Sequence, residues 1–322
     1  MSHADDTRFA VEPDAEPRTD PRSLLVFRAV GRHGSMSAAA DALGWTQPAV
    51  SQHVRRLERV HGVPLIARRG RGIELTPAGI DLLRHGDAVA AVLRDADRSL
   101  RAHADAESGV VRVAAFPSAM ATLVSPAVRA LAADRAGLEL ELTQLEPPEA
   151  LRTLARGDCD IAIVFQYVEE QLDRDGFVAV PLGDDPMLAV LPRSHPGADA
   201  TAIDLHDLAD ARWVAGCVNC RRHLLHAAAR HGFAPGIRHS TDDYVVVQAL
   251  VADDLAVAVL PALALAASRN PAVAAVPLAG EPPRRVVALT RPGAALPALH
   301  AVVDALRDAA AVATAPGFRS AP

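Results

Sequence analysis

Three short apolar stripes follow residue 20. Leu24, Phe27 and Val30 lie at helical spacing, and Gly34 follows as a stop. Behind Ser35, a good cap, Met36, Ala39, Ala40 and Leu43 repeat at i, i+3, i+4 and i+7, and Gly44 ends the run. Only Trp45 then precedes Thr46, a second capping residue. Pro48 falls in the first turn of the next helix, where its missing N–H costs little. Val50, Val54 and Leu57 form the third stripe, to about residue 60. The opposite face carries Gln47, Ser51, Gln52, Arg55, Arg56 and Arg59. Residues 63–76 read as two short strands around Arg68-Arg69-Gly70-Arg71-Gly72.

Thr76 and Pro77 then open a long helix to about residue 104, some 40 Å in length. Leu82, Gly86, Val89, Leu93, Ala96 and Leu100 alternate at four and three along it, the spacing of a coiled-coil seam. A lone helix cannot bury that stripe, so the seam pairs two chains or packs on its own; Gly86 weakens the first reading. Beyond a polar break at residues 105–109, strands and helices alternate. Residues 110–115, 138–145 and 160–165 read as strands, with helices at 118–134 and 148–156. The continuous apolar run Ile161-Ala162-Ile163-Val164-Phe165 fits a parallel strand buried on both faces. A second lobe starts near Pro186, with strands at 212–215, 237–239 and 255–260 and helices near 220–232 and 243–253. A strand at 285–290 and a helix near 297–311 return to the first lobe. Two α/β lobes joined by two crossovers leave a cleft at the carboxyl ends of the strands, where helix N-termini favour anionic or hydrogen-bonding ligands.

Composition adds three constraints. With 322 residues and half of them hydrophobic, the chain suits two or three packed domains. No apolar run reaches the roughly 18 residues of a membrane span. Residues 1–20 are polar and acidic and lack the pattern of a secretory signal, so they read as a disordered tail. Three cysteines do not make a secreted disulfide framework, which leaves a cytoplasmic location as the expectation. The net charge of −6 hides a segregation. Between residues 21 and 76 nine arginines meet three carboxylates, so that segment is six charges positive and the rest of the chain twelve negative. A basic module joined to an acidic one points to a polyanion partner for the first.

That module has the layout DNA reading needs: a short helix, a tight turn, then a helix with amides and hydroxyls at its start and cations beyond. Gln47 and Ser51 can meet base edges, and the arginines can neutralise phosphates. The Arg68–Arg71 tip has the form of a wing, able to enter a narrow minor groove. The competing reading is a three-helix bundle with a solvated face. The residues Gly34-Ser-Met-Ser-Ala-Ala-Ala-Asp-Ala-Leu-Gly44, Thr46-Gln-Pro-Ala-Val-Ser-Gln52, Arg56-Leu-Glu58, Gly62-Val-Pro-Leu65, Arg68 and Leu75-Thr-Pro-Ala-Gly79 resemble the DNA-binding domain of LysR-type transcriptional regulators. Trp45, Ile66 and Ala67 depart from that pattern. The resemblance implies a winged helix-turn-helix, a linker helix that dimerises, and a C-terminal two-lobed α/β domain like that of periplasmic solute-binding proteins. The fold class is thus mixed, α+β and α/β. It places Ser37, Thr46, Gln47, Pro48, Ser51, Gln52, Arg55, Arg56, Arg68, Arg69 and Arg71 on the DNA side. The partners implied are double-stranded DNA with pseudo-palindromic sites, a small-molecule effector, and a second copy or four copies of the chain, with no membrane and no cofactor.

The domain limits on this reading are 1–20, 21–78, 79–105, 106–314 and 315–322. Lobe one takes about 106–183 and 284–314, and lobe two 184–283. Candidate effector contacts lie at strand ends: Ser118 and Ala119, Gln166 and Tyr167, Cys217 and Asn219, Thr241 and Asp242. For each, a cap or loop role competes, and Ser118 and Thr241 combine capping chemistry with the cleft. Cys217-Val-Asn-Cys220 with His223 and His226 raises a thiol- or metal-responsive alternative. Cys220 to His226 spans about 240° of helix, so four ligands cannot converge, and no metal site is expected. Arg221 and Arg222 can lower a thiol pKa or bind an anion. No catalytic residue is expected: G-x-G-x-x-G, the P-loop, H-E-x-x-H and G-x-S-x-G do not occur. A solute-binding protein and an enzyme remain the outside alternatives.

Overall fold

The structure, a computed structural model, describes residues 18–69, 72–104, 109–135, 137–169, 174, 176–293 and 297–313. The chain divides into two compact units, Met1–Arg94 and Asp95–Pro322.

The first unit holds helices α1 (Pro21–His33), α2 (Met36–Leu43) and α3 (Gln47–His61), the hairpin β1 (Ile66–Arg69) with β2 (Gly72–Leu75), and the start of α4 (Pro77–Ala104). Asp20, expected in a disordered tail, is instead the N-cap of α1. Its carboxylate accepts the backbone N–H groups of Arg22 and Ser23, and Thr19 hydrogen-bonds to His61. Ser35 caps α2 through its hydroxyl. Gly34 and Gly44 close α1 and α2 at φ 68° and 66°, a left-handed backbone that a side chain would strain. Thr46 precedes α3, but its side chain makes no capping bond; its carbonyl accepts instead. The three stripes meet in one core around Phe27, Val30, Ala39, Val50, Val54 and Leu57. Each such fully buried Val, Leu or Phe contributes about 1.5–3 kcal/mol. In β1 and β2, Ile66 pairs with Leu75 and Arg69 with Gly72, antiparallel. Gly70 and Arg71 at the tip lie outside the described residues.

The seam expected on α4 is divided. Leu82 packs into the core of this unit, and Gly86 lies against Leu24 and Arg28 of α1. Asp87 takes an ion pair from Arg28 at 2.7 Å. Leu93 and Leu100 are exposed.

The second unit builds two lobes. In order come β3 (Gly109–Ala115), α5 (Pro117–Ala119) running through a π turn (Met120–Val124) into α6 (Ser125–Asp134), β4 (Leu138–Gln144), α7 (Pro147–Ala155), β5 (Ile161–Gln166), β6 (Val178–Asp185) and β7 (Met187–Pro192). Then follow β8 (Arg212–Ala215), α8 (Val218–Arg230), β9 (Gly236–Ser240), α9 (Tyr244–Ala252), β10 (Ala258–Pro261), α10 (Ala262–Ala267), β11 (Val273–Pro277), β12 (Arg284–Thr290) and α11 (Pro297–Ala313). The first lobe is a five-stranded sheet ordered β4-β3-β5-β12-β6. β3 runs parallel to β4 and β5, while β12 is antiparallel to β5 and β6. Its apolar runs divide by period two. Ile161, Ile163 and Phe165 face the side of α6 and α11, and Ala162 and Val164 face that of α7. That division explains why β5 reads as a continuous apolar run.

The second lobe has an antiparallel sheet β10-β7-β11 and the parallel pair β8-β9. A bridge from Trp213 to Val257 joins the two groups. Three strands here or at the crossover, β6, β7 and β11, were not anticipated. β6 is half exposed and carries Pro181 and Gly183 on either side of a register shift against β12, and the other two are antiparallel pieces ending in proline.

Candidate functional sites

On α3 the core takes Val50, Val54 and Leu57, which forces the remaining positions outward. Gln47, Pro48, Gln52, Arg55, Arg56 and Arg59 are exposed, as are Thr46 and Ser37 of the neighbouring turn and helix; Ser51 is half-buried. Among the described residues, Arg55 and Arg59 make no ion pair. The ring of Trp45 lies 5.4 Å from that of His53, and the Arg22 guanidinium sits 4.8 Å above it. The side chain that departs from the family pattern is therefore packed into the turn. Arg68 and Arg69 lie in β1, and Arg71 is outside the described residues.

In the second unit a cleft of about 470 Å³ is lined by Pro117, Gln144, Leu145, Glu146, Asp242, Asp243 and Tyr244. Of the effector candidates read from the sequence, Asp242 alone is in that lining. Three lining residues stand at helix N-termini: Pro117 opens α5, Glu146 is the N-cap position of α7, and Asp243 caps α9. Those boundaries were readable; their convergence was not.

The other candidates are placed differently. Ser118 and Ala119 are buried, and Ser118 Oγ accepts from Arg284 Nη2 at 3.1 Å rather than capping a helix. Thr241 Oγ1 accepts the Asp243 N–H, while Asp243 caps α9. Gln166, at the end of β5, is half-buried. Asn219 Oδ1 accepts from Arg222. Tyr167 is buried, edge-on to Phe165 and stacked on His223 at 3.9 Å. Its hydroxyl donates to Cys220 Sγ at 3.6 Å. Cys217 donates to Cys220 with the sulfurs 3.3 Å apart, and Cys217 Sγ is 3.8 Å from Glu146 Oε2. Among the described residues, no group of three or more histidines, cysteines or carboxylates is arranged to hold a metal ion.

Beneath this cluster lies a charge that sequence reading missed. Arg284, buried at the start of β12, donates through Nε to Asp185 Oδ2 at 2.9 Å, and Nη2 stands 2.8 Å from the same oxygen. Its guanidinium lies 4.2 Å from the ring centre of Phe165 and 4.9 Å from that of Phe116. Asp185 also accepts the Leu263 N–H of α10 at 2.9 Å. Burial raises the Asp185 pKa and Arg284 opposes it. For Arg284 itself burial works downward, but Asp185, Tyr167, Cys220 and Tyr244 together hold the guanidinium firmly charged.

The pair marks where the chain crosses between lobes: β6 ends at Asp185 on the way out, and β12 begins at Arg284 on the way back. The Cys217 hydrogen bond, then Arg284 and Tyr167, bring the Cys220 thiol down to about 7 against its own burial. Arg221 and Arg222, which the sequence offers either for lowering a thiol pKa or for binding an anion, are exposed. Desolvation, then Cys217, push Glu146 up to about 7.

Residues 21–80 match the family described as bacterial regulatory helix-turn-helix protein, lysR family. Residues 104–311 match the LysR substrate binding domain. The chain is 30% identical over 192 residues to a probable RuBisCO transcriptional regulator of Chlorokybus atmophyticus, covering 60% of this chain and 61% of that one. To the HTH-type transcriptional regulator CfxR of Cupriavidus necator it is 32% identical over 187 residues, 58% and 57% of the two chains. It thus spans roughly three fifths of the length of these curated relatives. Among solved structures, full-length CbnR complexed with its target DNA aligns at a TM-score of 0.58 and 24% identity, over 90% of this chain and 99% of that one. This last is a likeness of fold. With both modules matched, and the larger match alone covering more than half of its length, the chain belongs to the LysR family.

Proposed function

We propose that the protein is a sequence-specific DNA-binding transcriptional regulator, controlled by a small molecule bound in the cleft of its second unit. The observation that carries this is the outer face of α3, where Gln47, Gln52, Arg55, Arg56 and Arg59 stand exposed on one surface of a basic unit. Gln47, Ser51 and Gln52 read base edges, with Ser37, Thr46 and Pro48 framing the contact. Arg55 and Arg56 hold phosphates, and Arg68, Arg69 and Arg71 form the wing. The relatives named as transcriptional regulators support the same class.

Residues 21–78 are the reading domain and 79–105 the linker. Exposed Leu93 and Leu100 of α4 support pairing of two copies on a pseudo-palindromic site. Residues 106–314 hold the effector, with Glu146, Asp242, Asp243 and Tyr244 at the cleft and Ser118, Gln166 and Thr241 as further candidate contacts. The protein acts by binding rather than catalysis, in the cytoplasm. No helix among the described residues is long and apolar enough to cross a membrane.

Selection of bound fragments from a random DNA pool by the purified chain tests this. Recovery of a two-fold symmetric motif, with affinity falling steeply as salt rises, is the expected result. No enrichment over the starting pool refutes it. Arg55→Ala should weaken all sequences alike, and Gln47→Ala should relax base preference.

A further inference from the structure

We propose that the ligand of the cleft is a small organic cation, an amine or a guanidine, held between Glu146 of the first lobe and Asp242 of the second. The inference rests on the cleft reading given above and adds the charge class of the effector. Helix N-termini were expected to favour an anionic or hydrogen-bonding ligand there, but their donors are spent. α7 begins with Pro147 and Pro148, which have no N–H, and the next two N–H groups, of Glu149 and Ala150, return to the Glu146 carbonyl at 3.0 and 2.9 Å. α5 begins with Pro117. In α9 the Val245 and Val246 N–H groups are taken by the Asp243 carboxylate. An anion entering the cleft would meet closed helix ends.

The lining supplies the opposite chemistry. Its volume of about 470 Å³ is that of a small-molecule site. Glu146, Asp242 and Asp243 bring three carboxyl groups to it, Gln144 a carboxamide and Tyr244 an aromatic ring; among the described residues that line it there is no basic side chain. Asp243 is occupied as a cap, but Asp242 is exposed and makes no hydrogen bond or ion pair among the described residues. Arg284, whose charge acts on both Glu146 and Tyr244, is buried outside the lining and bound to Asp185 at 2.9 Å and Ser118 at 3.1 Å. It is therefore not available to an anion. Carboxylates and an aromatic ring around an enclosed space are the groups that hold an ammonium or guanidinium.

A cation here also has a reason to change the protein. Glu146 feels Cys217, Asp242 and Arg284, and Cys220 and Tyr244 feel Glu146 in turn. Burial, then Cys217, outweigh Arg284, so the Glu146 carboxyl still holds a proton near neutral pH, and Asp242 pushes the same way. Without ligand the two carboxylates oppose each other across the cleft. A positive charge between them replaces that repulsion with two attractions, drives the proton off Glu146, and binds best when the lobes are close. A ligand with that preference shifts the chain towards the closed arrangement. The sign of the pH dependence follows: affinity rises as the pH climbs from 6 to 8, and each cation bound near pH 7 releases part of a proton.

The test is calorimetric titration of the full, reduced chain with matched probes. Tyramine, tyrosol and 4-hydroxyphenylacetate share one frame and carry an ammonium, a hydroxyl and a carboxylate; agmatine and glutarate extend the comparison to flexible chains. Tyramine and agmatine should bind, tyrosol about tenfold more weakly than tyramine, and the two carboxylates not measurably. Asp242→Asn and Glu146→Gln should each weaken agmatine about tenfold at pH 8 and leave tyrosol unchanged, a split that a merely misfolded variant would not give. Repeating the titration in buffers of different ionisation enthalpy should show proton release at pH 7, smaller in Glu146→Gln. Hydrogen exchange should slow at residues 144–146 and 242–246 on adding agmatine. A carboxylate probe that binds with that same footprint, while the cations do not, overturns the charge class and leaves the cleft as the effector site. Cations that protect other segments overturn the proposal and the cleft placement together. Binding by neither series, or agmatine affinity indifferent to both substitutions, also overturns the proposal. The fragment selection described above fails or succeeds independently of all of these.

Discussion

Arg284→Met removes a buried cation while leaving its carboxylate partner in place. The native guanidinium is 1% exposed and sits on Asp185, Ser118 and two aromatic rings. Methionine fills most of the space of the stem, so the loss is chiefly electrostatic. Removing one partner of a buried pair costs about 3–5 kcal/mol, because the other charge is left uncompensated. Here Asp185 keeps its backbone donors from α10, which holds the expected loss near the lower end, about 3 kcal/mol. The sign of the pH dependence follows from the same geometry. Without Arg284 the folded pKa of Asp185 rises further above its unfolded value. The loss is therefore small at pH 4 and grows as the pH climbs, since the folded form must bury a charge that the unfolded form hydrates. Adding Asp185→Asn keeps an acceptor for the Leu263 N–H and deletes the charge, so the double variant should regain about 2 kcal/mol at pH 7. Urea denaturation followed by circular dichroism measures all three quantities. A single variant as stable as the native chain at pH 7, or a double variant no better than the single one, would refute the assignment of Arg284 as the charge that makes Asp185 tolerable.

Three further outcomes follow from particular contacts. Gly79→Ala places a Cβ 2.0 Å from the Leu65 carbonyl oxygen, so α4 must shift from the hairpin, lowering stability by about 1–3 kcal/mol in a thermal melt; an unchanged melting temperature contradicts the packing. Glu146 has a folded pKa of about 7 against an ordinary 4.5, so its burial destabilises the chain increasingly from pH 4.5 to 7 and fully above. Glu146→Gln should match the native protein at pH 4 and exceed it by about 1–2 kcal/mol at pH 8, the shift being discounted for a half-exposed group; a gap that does not widen with pH sinks this. Asp243→Ala removes the acceptor for the Val245 and Val246 N–H groups and should cost about 1 kcal/mol, read as faster hydrogen exchange in the first turn of α9.

The first unit was largely legible because its signals are local. Ser35, Gly34 and Gly44 specify helix ends within a few residues of themselves, and the stripe of Val50, Val54 and Leu57 fixes which side of α3 faces out. The alternation of β3, β4 and β5 with helices was legible for the same reason, since apolar runs bounded by proline and glycine announce parallel strands. The cleft was not. Glu146 and Asp243 are nearly a hundred positions apart, and Asp185 and Arg284 meet through the register of β6 on β12, which no local pattern encodes. In Arg284-Arg285 strand periodicity puts one side chain inside and one outside, but nothing local says that the inner one meets a carboxylate. The cysteine spacing placed Cys217 and Cys220 one helical turn apart; that the two sulfurs meet beside Glu146 depends on how the lobes face each other.

The sheet order β4-β3-β5-β12-β6 has a consequence for synthesis. The strand between β5 and β6 comes from residues 284–290, and the helix covering that sheet, α11, runs to Ala313. While the ribosome is still adding the second lobe, the earlier half-sheet has an open edge at β5 and an uncovered apolar face. The helical module before it closes on contacts near in sequence and can fold as soon as it emerges. A message ended before the codon for Arg284 should therefore leave the nascent product competent for its first module alone. The rest would be exposed to chaperones and proteases for want of its final strand and cover.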